Sequence, residues 1–172
     1  MMNTMQKIFR GTLFHRVDKK VTNWMADNAI TLIRISIGII FFWFGFLKFF
    51  PGLSPAENLA IKTIDTLTLG FFSEQLIIYG LAALESIIGL LLIFNVFLRE
   101  ALLLLFVQMI GTLIPLFLYP GEVFTVIPYG LTLEGQYIVK NLVIISGAIA
   151  VGATVRGAKI RQNSEHYNSL NT

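Results

Sequence analysis

The strongest constraint on this chain is a stretch from Ile30 to Phe50 that is almost wholly apolar and yet contains Arg34 and Lys48. A helix of that length extends about 30 Å, which matches the thickness of the hydrocarbon core of a bilayer. A helix at the surface of a soluble core would carry a polar stripe along one side, and this stretch has none. It therefore predicts a membrane-spanning helix.

The composition of the whole chain agrees with a membrane protein. Of the 172 residues, 55% are hydrophobic and only 13% are charged, whereas soluble domains are about 25% charged. Three further apolar stretches follow the first. The sequence predicts an all-α polytopic protein in which residues 29–156 form one four-helix transmembrane bundle, with spans at about 30–50, 75–98, 101–119 and 136–155.

The segments outside the spans are more polar. Residues 1–28 are basic and carry apolar side chains at helical spacing, which predicts an amphipathic segment on the membrane surface. They lack a small-residue cleavage motif after a short apolar run, so we do not expect a cleavable signal peptide. A short helix at about 55–68 should rest on the outer surface. Residues 120–135 form a loop, and 157–172 form a polar C-terminal tail.

The distribution of basic residues predicts the orientation of the chain. Nine lysines and arginines lie in the two tails and in the turn at 99–100, whereas the two other loops contain only Lys62. The positive-inside rule then places both termini in the cytoplasm. The same placement accounts for the net charge of +3. We expect the lipid bilayer as a partner and no nucleic acid, because no basic-aromatic binding module is present.

Small and charged residues of the first span share one helix face, because Arg34, Gly38, Gly45 and Lys48 follow each other at helical steps. Glycines allow two membrane helices to approach closely. Charged side chains in a span face the protein interior or the interface. We therefore expect helix contacts at the glycines that accompany polar residues in the four spans, namely Gly38, Gly45, Gly89, Gly111 and Gly147.

Glu85 lies near the middle of the second span, where an ionised carboxylate costs about 2.5–3.5 kcal/mol or more. Two lysines near the outer ends of their spans are within reach of it, and Gln108 lies in the third span. Two tyrosines also lie near the same end. The predicted ligand site thus comprises Glu85, Lys48, Lys140, Gln108, Tyr79 and Tyr137. Arg34 is a separate charge on the inner side, with lipid phosphate, Ser36, helix-end carbonyls or Glu100 as expected partners.

Simpler explanations exist for several of these residues. The lysines and Arg34 could extend to the lipid headgroups, and Gln108 could join two helices by a hydrogen bond. The chain has no cysteine, which excludes thiolate catalysis, iron–sulfur ligation and covalent haem attachment by this chain. The residues form no metal site and no nucleophile–base pair. The pattern does not decide between an enzyme and a non-catalytic protein.

These motifs resemble those of the DoxX-like membrane proteins. The resemblance rests on the first span, Arg34…Gly38…Phe42…Gly45…Lys48, and on Glu85-Ser-Ile-Ile-Gly in the second. The stretch from Glu134 through Gly135, Gln136, Tyr137 and Lys140 to Val143 is similar to the last loop and final helix of the group. The branch associated with reactive-chlorine resistance (RclC-like proteins) is similar in the first and last spans.

The resemblance implies a four-helix inner-membrane protein. Some relatives are subunits of a thiosulfate:quinone oxidoreductase, and others are tied to oxidative-stress defence. By position, Arg34, Lys48, Glu85 and Lys140 match polar positions of the family. Our first hypothesis is an accessory or quinone-interacting subunit that acts with a membrane or periplasmic redox partner and binds no cofactor covalently. The alternatives are a purely structural subunit of a larger complex and a small proton- or ion-coupled carrier with Glu85 as its site.

Overall fold

The computed structural model describes residues 4–54 and 56–157, with side chains from residue 17 onward. Within these ranges the chain forms helices and one small antiparallel hairpin. The elements are α1 Thr4–Leu47, α2 Glu57–Leu67, α3 Glu74–Phe94, α4 Leu98–Leu113, α5 Pro115–Leu118, α6 Pro120–Val123, β1 Phe124–Val126, β2 Gly130–Leu131 and α7 Leu133–Thr154.

Four helical segments are long and apolar enough to cross a membrane: Val17–Leu47, Glu74–Phe94, Leu98–Leu118 and Leu133–Thr154. They confirm the predicted all-α architecture with four spans. The first begins at Val17, well before the predicted residue 30, and the other bounds differ from the predicted ones by a few residues. The second span ends earlier than predicted, because Asn95 adopts a left-handed conformation (φ 58°) and donates its backbone N–H to Leu91 O. That arrangement is a common helix C-terminus.

The N-terminal segment and the first span are one helix. The sequence placed a boundary after residue 28, and α1 instead runs without interruption from Thr4 to Leu47. A helix of that length extends about 66 Å, which is about twice the thickness of the hydrocarbon core. Its N-terminal part therefore continues the span beyond the core. The C-terminal tail predicted at 157–172 lies outside the described residues, apart from Gly157.

Pro115 divides the third span into two helices. Proline has no backbone N–H to donate and clashes with the preceding turn. Accordingly α4 ends at Leu113 and α5 begins at Pro115. Ile114 between them keeps right-handed helical dihedral angles (φ −58°, ψ −40°), so the chain continues as one span.

The segment between the last two spans is more ordered than the predicted loop. It contains α6 and the hairpin β1–β2, in which Phe124 lies opposite Leu131 and Val126 lies opposite Gly130. The peptide bond between Ile127 and Pro128 is cis. This hairpin and α2 lie at the same end of the bundle as Lys48, which we call the α2 end.

The core consists of two separate clusters of buried side chains. The larger cluster joins α1, α3, α4 and α7 through Ile37, Phe41, Ile88, Leu92, Ala101, Leu102, Leu105, Met109, Ala148 and Val151. The smaller cluster joins α2, α6 and α7 at the α2 end through Leu59, Val123 and Ile138. Large apolar side chains such as Trp43 and Val107 are about 60% exposed on the outside of the bundle, as expected for surfaces that face lipid.

Candidate functional site

The close contact between α1 and α3 positions the site. A Cβ atom added to Gly45 would lie 2.6 Å from Ser86 N, and one added to Gly89 would collide with the backbone of Phe42. A Cβ added to Gly38 would lie 2.9 Å from Gly89 O. The two helices therefore approach backbone to backbone along this face, and their antiparallel contact brings the end of α1 beside the middle of α3.

Lys48, Glu85 and Gln108 form a buried polar cluster where α1, α3 and α4 meet. Lys48 Nζ donates to Glu85 Oε2 over 2.5 Å, and Gln108 Nε2 donates to Glu85 Oε1 over 2.5 Å. Each of the three residues is only 9% exposed. Both carboxylate oxygens are therefore bonded, and the negative charge has a cation beside it, as a buried carboxylate requires.

Lys48 has a second acceptor, because its Nζ lies 3.5 Å from Phe44 O. Gln108 carries an acceptor atom that is not used: its Oε1 is buried and has no hydrogen-bond partner among the described residues. Since a carboxylate only accepts hydrogen bonds, Gln108 must present its NH₂ group to Glu85 and its carbonyl oxygen elsewhere. The cluster thus retains one free acceptor.

A cavity of about 680 Å³ lies beside the cluster, between the two core clusters of the bundle. Phe41 and Met109 of the larger cluster line it on one side, and Leu59 and Ile138 of the smaller one on the other. The volume falls within the range of about 300–1,000 Å³ that is typical of ligand pockets. Val143 also lines the cavity and is 76% exposed, so the cavity reaches the surface of the spans.

The polar part of the lining includes four of the predicted ligand residues besides Gln108, namely Lys48, Glu85, Tyr137 and Lys140. The sequence allowed either Lys48 or Lys140 to pair with Glu85. The ion pair forms with Lys48, and Lys140 forms none with Glu85. Its Nζ lies 5.5 Å from the centroid of the Tyr137 ring, which in turn packs edge-on against Phe44.

Two of the predicted residues lie elsewhere than expected. Tyr79 does not line the cavity; it is 47% exposed and stacks against Phe49 with ring centroids 6.3 Å apart. Gly111 makes no close helix contact, since a Cβ added there would have no heavy atom within 4 Å. Gly111 instead lines the cavity. A Cβ added to Gly147, by contrast, would lie 3.0 Å from side chains of Ile33 and Ile37 in α1.

Arg34 lies near the other end of the bundle, where α3 ends. Its Nη1 atom donates to Leu92 O and, over 3.0 Å, to Ile93 O. Backbone carbonyls in the last turn of a helix lack intrahelical partners, so a cation there is favourable. Of the partners expected from the sequence, the structure places Arg34 against helix-end carbonyls, and Arg34 does not line the cavity.

Asn141 and Thr112 extend the polar lining and were not predicted as site residues. Asn141 Nδ2 donates to Thr112 Oγ1 over 3.2 Å, and Thr112 Oγ1 donates to Met109 O over 2.8 Å. Both residues line the cavity. The signal in the sequence was an asparagine within an apolar span, because such residues usually bond to a neighbouring helix.

The helix α2 covers the cavity at its end of the bundle. Leu59 and Thr63 are its buried residues, and both line the cavity. Lys62 forms an ion pair with Glu122 and lies 4.3 Å from the centroid of the Tyr119 ring. The hydrogen bond to Glu122 raises the pKa of Lys62. These contacts tether α2 to α6.

Taken with the four spans, the cluster and its cavity define a polytopic α-helical membrane protein with an internal pocket. Within the described residues, no group of three histidine, cysteine, aspartate or glutamate side chains could hold a metal ion. The model of the DoxX family matches residues 29–118, which is more than half of the chain. The chain therefore belongs to the DoxX family.

The family match ends at residue 118, and the model describes the DoxX family as a whole and not one of its branches. The similarity of the last loop and final helix to the family, and the similarity to the reactive-chlorine branch, thus stay predictions. Neither a curated protein nor a solved structure matches the chain.

Proposed function

We propose that this DoxX-family protein binds a quinone in its internal cavity and acts as an accessory subunit of a membrane redox or oxidative-stress system. The observation that carries the proposal is a largely apolar cavity, within the spans, that ends on the Lys48–Glu85–Gln108 cluster. An apolar pocket with a few convergent polar groups is the usual form of a small-molecule site.

The lining residues suit the two parts of a quinone. The two ring carbonyls accept hydrogen bonds, and Lys48, Gln108 and Tyr137 are donors that line the cavity. The isoprenoid tail needs an apolar channel that opens to lipid, and Ile40 and Val143 supply apolar lining at the exposed side.

When bound, a quinone would supply the electron-carrying chemistry that side chains cannot provide. The chain's own residues would hold the ring, exclude water and keep a proton-exchanging carboxyl, Glu85, beside it. The chain has no cysteine and therefore no thiol redox couple of its own. In the proposed role, a membrane or periplasmic partner protein would deliver or remove the electrons.

Filling the cavity should prevent binding. We expect a short-chain ubiquinone or menaquinone, at about 100 times its Kd, to raise the melting temperature of the detergent-solubilised protein by roughly 5–10 °C. Gly111→Leu places a side chain in the cavity without meeting existing atoms at its Cβ, and should abolish most of this shift. Gly80→Leu is the matched control, because Gly80 is equally open but does not line the cavity. No shift with either quinone would leave a structural subunit as the better account.

We also propose that the protein resides in the bacterial inner membrane with both termini in the cytoplasm. The excess of basic residues at the tails supports this orientation. The α2 end of the bundle, opposite the tails, also supports this orientation. There Glu57, Glu122 and Glu134 line a polar surface cavity of about 720 Å³. Acidic groups contribute little to orientation, but an exposed acidic surface suits the aqueous side away from the basic tails.

Single-cysteine variants can test the orientation cleanly, because the chain contains no cysteine. Asn58 is exposed in α2, and Lys19 is exposed in the N-terminal part of α1. In intact spheroplasts, a membrane-impermeant maleimide should label Asn58→Cys, whereas Lys19→Cys should react only after lysis. Labelling of Lys19→Cys alone in intact cells would reverse the proposed orientation.

A further inference from the structure

The charges that line the cavity do not balance. Three charged residues line it, Lys48, Glu85 and Lys140. Lys48 and Glu85 neutralise each other in the buried ion pair. Lys140 has no carboxylate within ion-pair distance among the described residues, and its Nζ lies over the face of the Tyr137 ring. The cavity therefore carries one excess positive charge.

The position of Lys140 makes this excess costly. Lys140 lies seven residues after Leu133, the first residue of α7, which places it about 10 Å along the helix axis, and it is exposed at the surface of the spans. An uncompensated charge at such depth in a span is unfavourable. The ring of Tyr137 offsets only part of that cost, because cation–π contacts are weaker than a pairing with an anion. An anionic group in the cavity would provide the missing partner.

We infer that the cavity favours an amphiphile that carries a negative charge on its polar end, held at Lys140. This inference rests on the proposed quinone site and specifies which form it prefers. For a quinone-like ligand, the preferred form is one with an acidic, deprotonated ring oxygen rather than a neutral one of the same shape. The alternative is that Lys140 extends along Tyr137 to a lipid phosphate outside the cavity.

Two ligands of nearly equal shape separate these possibilities. A 2-hydroxy-3-alkyl-1,4-naphthoquinone is an anion at neutral pH, because its hydroxyl group is acidic, whereas its 2-methoxy counterpart is neutral. We expect the purified protein in lipid nanodiscs to bind the anion roughly tenfold more tightly, the size of one charge-assisted hydrogen bond. Tryptophan fluorescence quenching or a thermal shift would measure both affinities.

Variants assign the preference to Lys140. Lys140→Gln should make the two affinities equal, and Lys140→Arg should keep the preference because the charge remains. Lys62→Gln is the matched control, since Lys62 is a lysine at the same end of the bundle that does not line the cavity. It should leave the tenfold difference unchanged.

The outcomes also separate this inference from the proposed function. Equal binding of the two naphthoquinones by the unaltered protein would overturn the inference and leave the quinone site standing. A preference that survives Lys140→Gln would overturn it as well, because another group would then hold the anion. Absence of binding by both ligands and by neutral quinones would overturn the quinone site and the inference with it.

Discussion

Replacing Gly89 by alanine should destabilise the bundle by roughly 1–3 kcal/mol, the usual cost of forcing extra atoms into a close-packed contact. The added Cβ would meet the backbone of Phe42 and would lie 2.7 Å from Gly38 O. Backbone atoms cannot rotate away as a side chain can, so α1 and α3 would have to separate. Thermal unfolding in detergent, followed by circular dichroism, would measure the loss.

Gly80→Ala provides the control for this prediction. Gly80 lies in the same helix, and a Cβ added there would meet no heavy atom within 4 Å. Both substitutions gain the same helix propensity, up to about 1 kcal/mol. The difference between the two variants therefore isolates the contact between α1 and α3. Equal melting temperatures for Gly89→Ala and Gly80→Ala would show that this face does not hold the helices together.

The spans and the packing face of α1 could be predicted because both depend on simple periodicity. The length of an apolar stretch determines whether it can cross a bilayer, and small residues at helical steps mark a close contact. The same reasoning failed at Gly111, which also stands beside polar residues. There the missing side chain leaves space in the cavity instead of admitting a second backbone.

The partner of Glu85 could not be predicted, because depth in the membrane does not determine the rotation of a helix. Lys48 and Lys140 lie at similar depths, and the sequence allowed either. The glycine contacts place Lys48 against Glu85. Helix α7 contacts α1 where Gly147 meets Ile33 and Ile37. Lys140 lines the same cavity without pairing with Glu85.

The same limit applies to Tyr79, whereas Asn141 and the hairpin could not be predicted for other reasons. Tyr79 has the right depth, but its ring faces Phe49 and not the cavity. Asn141 follows Lys140, whose charge within a span is the stronger signal of a site. The strands β1 and β2 have only three and two residues, too few for alternation of apolar and polar residues to be detected.

The second large effect is expected at Lys48. Lys48→Met would remove the cation beside a buried carboxylate, which typically costs about 3–5 kcal/mol. Glu85 would keep only the hydrogen bond from Gln108. We expect a strongly lowered melting temperature and a reduced yield of folded protein. Lys62→Met breaks an exposed ion pair and should change stability much less, because solvent screens such pairs. Similar losses in the two variants would contradict the buried role of the Lys48–Glu85 pair.

Removing both charges distinguishes structure from function. The double variant Lys48→Met/Glu85→Gln leaves no unpaired charge in the cluster, and the amide introduced at position 85 could still accept the hydrogen bond from Gln108. Replacing a buried ion pair by neutral residues of similar volume is often nearly neutral for stability. We therefore expect the double variant to regain most of the stability that Lys48→Met loses. If the pair serves only the fold, the recovered protein should bind short-chain quinone as before. We propose instead that the Glu85 carboxylate exchanges protons or that the Lys48 ammonium holds the quinone ring. In that case the double variant should fold and yet fail to restore function in a deletion strain, because neither group remains.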